Sequence, residues 1–466
     1  MNGINKEKKL LVNTVIFSIG SLGSKIVSFI IVPIYTMYMS QQEYGLADTM
    51  LVLATLLLPI ISFSLPEAVL RFMLTKEKDG DLILFNSFLF VGITGIFFII
   101  ISLLLNFFIT PKWIFYLSLF LFVQMYYALF SQYSKGKEKN ILFSSMSIIL
   151  SCMLLLFTYF FLRFIEDKVQ AFFLSQILSY TITSILYFSL LRINKSVRFK
   201  NFDFEIIKSL LIYSAPLIPN QVMWWIMNAS SRLFIIHFSG YAISGLYAVS
   251  SKIPSIINIF TTIFLQSWQI SAIEELKSED NSVFFSKITN NMFSLLSICI
   301  SVILVVLKPL INIFVSANFY DSWKYVPFLL ISLLFSSMSQ LIGMSYIASM
   351  KTAGNFFTSV FGAIVNLVFN FILVPILGAN GASIASAISF FIVFIIRLID
   401  TRKFVKLQIN KSKWSLNVLL IMLQIFLQFR GYLLPNFVIL IFVLVINKNL
   451  IIQIFNISKK IVRKKI

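Results

Sequence analysis

Apolar residues run along this chain in long blocks, separated by short stretches where charged and turn residues collect. The blocks are about 20 residues long, the length a helix needs to cross a bilayer, and lack the roughly ten-residue alternation of a barrel strand. They fall at 11–38, 45–66, 83–107, 113–133, 141–162, 169–191, 207–237, 244–270, 289–315, 324–350, 355–377, 381–399, 414–429 and 432–455. The pattern predicts an all-α integral membrane protein with about fourteen transmembrane helices.

Composition supports this reading. Of 466 residues, 59% are hydrophobic and 12% charged, against roughly 25% charged in a soluble domain. The spans use up most of the chain, leaving no room for a soluble catalytic domain. Lys and Arg outnumber Asp and Glu by 38 to 18. In a membrane protein such an excess points to topology rather than to nucleic acid, because basic residues collect in cytoplasmic loops. With the N-terminus inside, 29 of the 38 fall in inner segments and six in outer ones, so both termini are expected in the cytoplasm. The basic start (Lys6, Lys8, Lys9) leads into a long apolar stretch without a short signal-peptide core, which predicts a retained first span. Cys152 and Cys299 lie inside apolar runs, in no metal-binding or redox spacing. No Walker A, GxSxG or HExxH pattern is present, so neither an enzyme nor a bound cofactor or metal is expected.

The longest inner connection, Arg192 to Lys208, separates the first six spans from the next six. The expected division is 1–200, a first six-helix lobe; 201–413, a second; and 414–466, two extra helices with a basic tail. Tyr44-Gly45-Leu46-Ala47 and Ser244-Gly245-Leu246-Tyr247-Ala248 each open the second span of a half, as a parallel repeat requires.

Three cations fall inside spans: Lys25, Arg232 and Lys252. An intramembrane charge costs about 2.5–3.5 kcal/mol on insertion scales, so it needs a partner or a hydrated cavity. Lys25 shares a helical face with Ser18, Ser21 and Ser28. Snorkelling to an interface is the structural alternative, more so for Arg232 and Lys252. Polar stripes at helical spacing join them: Asn220, Trp224, Asn228 and Ser231 after Pro216 and Pro219; Pro254, Asn258, Thr262 and Gln266; Gly362, Asn366 and Asn370. Amides and an indole can bond and stack against sugars, though such a stripe can equally join helices. Acids near the membrane are scarce. Asp48 is one, and Glu67 stands four residues before Arg71, the spacing of a helix-ending ion pair or a gate. The positive balance suits a phosphate or diphosphate.

The runs Ser18-Ile19-Gly20-Ser21-Leu22-Gly23-Ser24-Lys25, Pro33-Ile34-Tyr35, Glu43-Tyr44-Gly45-Leu46-Ala47 and Leu65-Pro66-Glu67-Ala68-Val69-Leu70-Arg71-Phe72 resemble the first helices of bacterial Wzx-type polysaccharide flippases. Gly245-Leu246-Tyr247-Ala248 with Lys252, and Pro375-Ile376-Leu377-Gly378-Ala379-Asn380-Gly381-Ala382-Ser383, resemble later helices of the same multidrug/oligosaccharidyl-lipid/polysaccharide (MOP) exporter superfamily. The resemblance implies two MATE-like six-helix lobes around a central cavity, plus two C-terminal helices. It further implies a bacterial inner-membrane protein moving undecaprenyl-diphosphate-linked oligosaccharide between leaflets for O-antigen, capsule or exopolysaccharide, with membrane lipids, a polysaccharide polymerase and a chain-length regulator as candidate partners. Family cavity cations correspond by position to Lys25 and to Arg232 and Lys252. Many relatives carry an acid before the seventh-helix arginine, where this chain has Ser231. Two other readings remain: a cation-coupled multidrug exporter, which would want buried carboxylates, and a non-transporting scaffold of a polysaccharide assembly complex.

Overall fold

The computed structural model describes residues 23–75, 79–108, 113–195, 202–275, 281–349 and 351–463, and the described residues are helices joined by short turns. Eleven of the helices are long and apolar enough to cross a membrane, and Gly23–Tyr38 and Leu433–Ile446 are shorter apolar ones. Apolar side chains cover the outside as well as the core, unlike in a soluble bundle. Ile93, Ile96, Phe97, Ile100 and Leu104 on one helix, and Phe357, Phe361, Ile364, Val368 and Phe371 on another, face outward, while serines such as Ser179, Ser244, Ser297, Ser337 and Ser389 are buried. Small polar residues let helices approach closely and bond to one another where lipid supplies no hydrophobic drive. The chain is a multi-pass membrane protein.

It divides into two compact units, one reaching to Trp225 and one from Ile226 onward. The first unit comprises α1 (Gly23–Tyr38), α2 (Gln41–Ile61), α3 (Leu65–Thr75), α4 (Gly80–Phe108), α5 (Trp113–Gly136), α6 (Asn140–Phe164), α7 (Lys168–Leu190), α8 (Phe204–Ser214) and most of α9 (Leu217–Ala229). Ser40 and Glu43 form a capping box that starts α2: Ser40 Oγ accepts from the Glu43 amide at 3.2 Å, and Glu43 accepts from the Ser40 amide at 2.8 Å. Pro59 weakens the last turn of that helix, and Phe63 and Ser64, both at φ 51°, break the chain before α3 restarts. The single span expected at 45–66 is thus α2 plus a turn, with α3 as a continuation. Helix α5 is the hub, packed against α2, α3, α4, α6 and α7. The core joins Leu65, Val69, Ile83, Met125, Tyr133 and Tyr187. The unit extends past the Arg192–Lys208 connection because α8 packs on α3 and α4, and because α9 is pinned to α2. Trp225 Nε1 donates to the Val52 carbonyl at 2.9 Å and to Thr55 Oγ1 at 3.1 Å.

The second unit holds α10 (Ser231–Ser250), α11 (Lys252–Glu275), α12 (Asn281–Phe314), α13 (Val326–Ala348), α14 (Thr352–Leu377), α15 (Ala379–Asp400), α16 (Lys411–Arg430), α17 (Leu433–Ile446) and α18 (Lys448–Arg463). Its hub is α13, buried along most of its length and packed against α11, α12, α14 and α15. The two hubs are the fourth blocks of the two sequence halves, 113–133 and 324–350, so the units repeat the same packing order. The spans expected at 207–237 and 244–270 are broken more often than the hydropathy pattern shows. Breaks follow Ser214, where Pro216 lies, and fall at Ala229–Ser230, at Gly240 (φ 82°) and at Ser251. Between α14 and α15 the chain turns at Gly378, whose φ of 56° an L side chain rarely adopts. Helices α16 and α17 pack on α12 and on each other. An amide ladder joins them: Asn436 Nδ2 donates to Gln428 Oε1 at 2.7 Å, Gln424 Nε2 to the Asn436 carbonyl at 3.2 Å, and Asn447 Nδ2 to Asn417 Oδ1 at 2.8 Å.

Candidate functional site

In the first unit, α1 holds Lys25 half-buried, with no hydrogen bond or ion pair among the described residues. Of its serine stripe, Ser28 Oγ donates to the Ser24 carbonyl at 2.9 Å, while Ser18 and Ser21 lie outside the described residues. In the second unit the fold brings Arg232 and Lys252 together across the junction of α10 and α11. Arg232 Nη2 donates to Ser251 Oγ at 3.0 Å, and its charge is close enough to act on Lys252. Both are half-buried, and the Lys252 ammonium makes no hydrogen bond or ion pair among the described residues. Two like charges held together away from bulk water repel strongly, and an anion between or beside them relieves that repulsion.

The polar stripes separate into two kinds. Asn220, Asn228 and Asn258 are exposed on their units, and Trp224 is half-buried. Of Gln266 only the backbone is described. Asn366 and Asn370 have no exposed surface. Ser230 Oγ donates to Asn366 Oδ1 at 3.3 Å, Asn370 Nδ2 donates to the same oxygen at 2.9 Å, and Asn366 Nδ2 reaches Ser386 Oγ at 3.5 Å. Ser231 bonds Ser386 at 3.3 Å. The α14 stripe is therefore a packing network, and its amides cannot meet a sugar without opening it. Glu67 and Arg71 do not form the ion pair that their spacing suggested: Glu67 Oε1 accepts instead from Gln132 Nε2 of α5 at 3.1 Å.

The sequence reading missed Arg397. One of the 29 basic residues assigned above to inner segments, it is 2% exposed, inside the second unit. Its Nε donates to Thr358 Oγ1 at 3.0 Å and Nη1 to the Ser339 carbonyl at 3.0 Å. Its Nη2 donates to the Asn355 carbonyl at 3.3 Å and to Ser359 Oγ at 2.9 Å. Gly343 leaves room for it, since a Cβ there would stand 2.7 Å from Nη1. No cluster of His, Cys, Asp and Glu suited to a metal occurs among the described residues.

The same arrangement of helices is found in transporters of the MOP superfamily. The inward closed conformation of the lipid II flippase MurJ matches with a TM-score of 0.66 at 14% identity, over 95% of this chain and 99% of that one. An inward-facing multidrug resistance MATE family transporter matches with a TM-score of 0.63 at 14% identity, over 83% and 94%. Both show the fold: all-α and MATE-like. Residues 10–270 match the polysaccharide biosynthesis protein family, and the chain belongs to that family. A relative encoded at the Lsg locus of Haemophilus influenzae is 22% identical over 261 residues, which are 54% of this chain. The match spans 63% of that relative's length.

Proposed function

We propose that this protein is a flippase that carries undecaprenyl-diphosphate-linked oligosaccharide repeat units from the inner to the outer leaflet of the bacterial cytoplasmic membrane, for O-antigen, capsule or exopolysaccharide assembly. The observation that carries this reading is positive charge placed inside apolar helices: Lys25, half-buried with no ion pair among the described residues, in one unit, and Arg232 beside Lys252 in the other. Such charge is costly unless a membrane-borne anion uses it, and a diphosphate on a lipid is that kind of anion. The family and the MOP transporter fold support the same reading, and MurJ, one of the fold's members, is a lipid II flippase. The 29-to-6 distribution of basic residues supports a cytoplasmic location for both termini.

In the proposed cycle the cations hold the diphosphate, exposed amides and Trp224 meet the sugar, and alternating access exposes the headgroup on the far side. The anion must be held comparably in both states, or the cycle stalls. The test is leaflet exposure of lipid-diphosphate-linked oligosaccharide in vesicles containing the purified protein. Wild type is expected to expose the sugar and Lys25→Ala to lose most of that activity, about tenfold or more, while inserting normally, as befits loss of a charge-assisted contact worth about 1.5–3 kcal/mol. Unchanged activity in Lys25→Ala would remove the central role of this cation.

A further inference from the structure

An open cavity of about 270 Å³ lies within the first unit, where the α2–α3 break meets α5, α7 and α9. Its polar lining joins the Glu67 carboxylate to the amides of Gln124, Gln132 and Gln221 and to serine hydroxyls. Glu67 receives one hydrogen bond, from Gln132 Nε2. That contact fixes the amide orientation, because only the nitrogen end of an amide can donate to a carboxylate, and it leaves Gln132 Oε1 buried without a partner. Gln124 Oε1, on the same face of α5 two turns earlier, is also buried and unpartnered. Ser64 Oγ directs its proton toward the Pro59 carbonyl at 3.5 Å and accepts from Gln221 Nε2 at 3.2 Å. Beside these oxygens stand the rings of Tyr127 and Tyr180, packed edge to face at 5.2 Å between centroids.

A carboxylate set among amide and hydroxyl side chains suits a ligand rich in hydroxyl groups, and adjoining aromatic rings suit one with an apolar face as well. A bare cation would fill little of this space, since one water's share of liquid volume is about 30 Å³. The volume is instead close to the lower end of small-molecule pockets, about 300 Å³. We propose that this cavity is a sugar subsite, in which ring hydroxyls donate to Glu67 and bond along the Gln124 and Gln132 side chains, and a ring face lies against the tyrosines. The inference rests on the flippase reading in that the sugar would be part of the transported headgroup.

The test uses lipid-free methyl glycosides of glucose, galactose and N-acetylglucosamine with the full-length protein in detergent, read by saturation-transfer-difference NMR. At least one glycoside is expected to give a signal that falls fivefold or more in Gln124→Leu. The conservative Glu67→Gln, which keeps the size of the side chain, is expected to reduce it similarly. Thermal unfolding separates loss of fold from loss of binding, and either variant alone decides the matter if the other misfolds. No signal from any glycoside, or equal signals in folded variants and wild type, would overturn the subsite. So would ²³Na line broadening that needs Glu67 and persists without glycoside binding, because it would assign these oxygens to a cation. The two readings fail separately. Glycoside binding without leaflet exposure of lipid-linked oligosaccharide removes the flippase and leaves the subsite. Leaflet exposure that survives Gln124→Leu, with no glycoside bound, removes the subsite alone.

Discussion

Each unit contains a charged side chain set among amides and hydroxyls, and the two end in opposite states. In the second unit Arg397 is sealed, with four hydrogen bonds to neutral oxygens of α13 and α14. In the first, Glu67 stands at an open cavity with a single amide donor, and two nearby amide oxygens have no partner. Residue type does not separate them, since serines and amides surround both. What separates them is whether the protein itself completes the bonding. A completed charge joins helices, whereas an incomplete one at a cavity is available to something that arrives. Asn370 Oδ1 also lacks a partner, but it sits on a residue with no exposed surface, whereas Gln124 and Gln132 are partly exposed and line the cavity.

The largest expected effect breaks the closed side of this comparison. Arg397→Met replaces a guanidinium with an uncharged side chain and removes its four hydrogen bonds to α13 and α14. Hydrogen bonds to a charged group are worth about 1.5–3 kcal/mol each, and the Asn355 carbonyl keeps donors from Thr358 and Ser359, so a net loss of about 3–5 kcal/mol is expected. It would appear as a clear fall in unfolding temperature in detergent. Arg397→Lys is expected to recover only part, because an ammonium lacks the planar fork that reaches α13 and α14 at once. A wild-type unfolding temperature for Arg397→Met would show that the cluster is not closed.

A smaller effect is expected at Asn366, which accepts from both Ser230 and Asn370. Asn366→Ala should cost about 1–2 kcal/mol, the scale of one or two buried hydrogen bonds, and leave glycoside binding by the first unit unchanged. A loss of binding with no loss of stability would return this asparagine to the ligand site and contradict its place in the packing network.

Much of this was legible in the sequence, for physical reasons that also mark the limits. Hydropathy blocks reveal helices because the bilayer enforces length and apolarity on every crossing, and the two packing hubs coincide with the blocks at 113–133 and 324–350. The paired cations Arg232 and Lys252 could be named from the sequence as intramembrane charges, though not as neighbours. Arg397 was misplaced because it lies near the end of an apolar block, where a cation usually reaches a loop. Its partners Ser339, Thr358 and Ser359 lie 38 to 58 positions back and carry no signal of contact. Gln124 and Gln132 were missed in the same way. They are two amides eight residues apart on one helix face, a spacing that the stripes on α9, α11 and α14 also show, but no charge within the block 113–133 drew attention to them. The ladder from Asn417 through Gln424 to Gln428 on α16 had the same periodic signature and was hidden by the low hydropathy it creates.

The smallest expected effect sharpens the open side. Glu67 and Arg71 have the spacing of an ion pair, yet the carboxylate bonds to Gln132 and the arginine points outward, exposed. If Glu67 is held for a ligand rather than for Arg71, then Arg71→Ala should leave unfolding unchanged within the ~0.5 kcal/mol typical of surface substitutions. Glycoside binding should also stay at the wild-type level. A pair that did form would behave differently: removing the arginine would free the carboxylate from a competing cation and raise sugar binding, with a measurable cost in stability. Measured together, unfolding and binding in Arg71→Ala distinguish a carboxylate reserved for the cavity from one borrowed from a helix-ending ion pair.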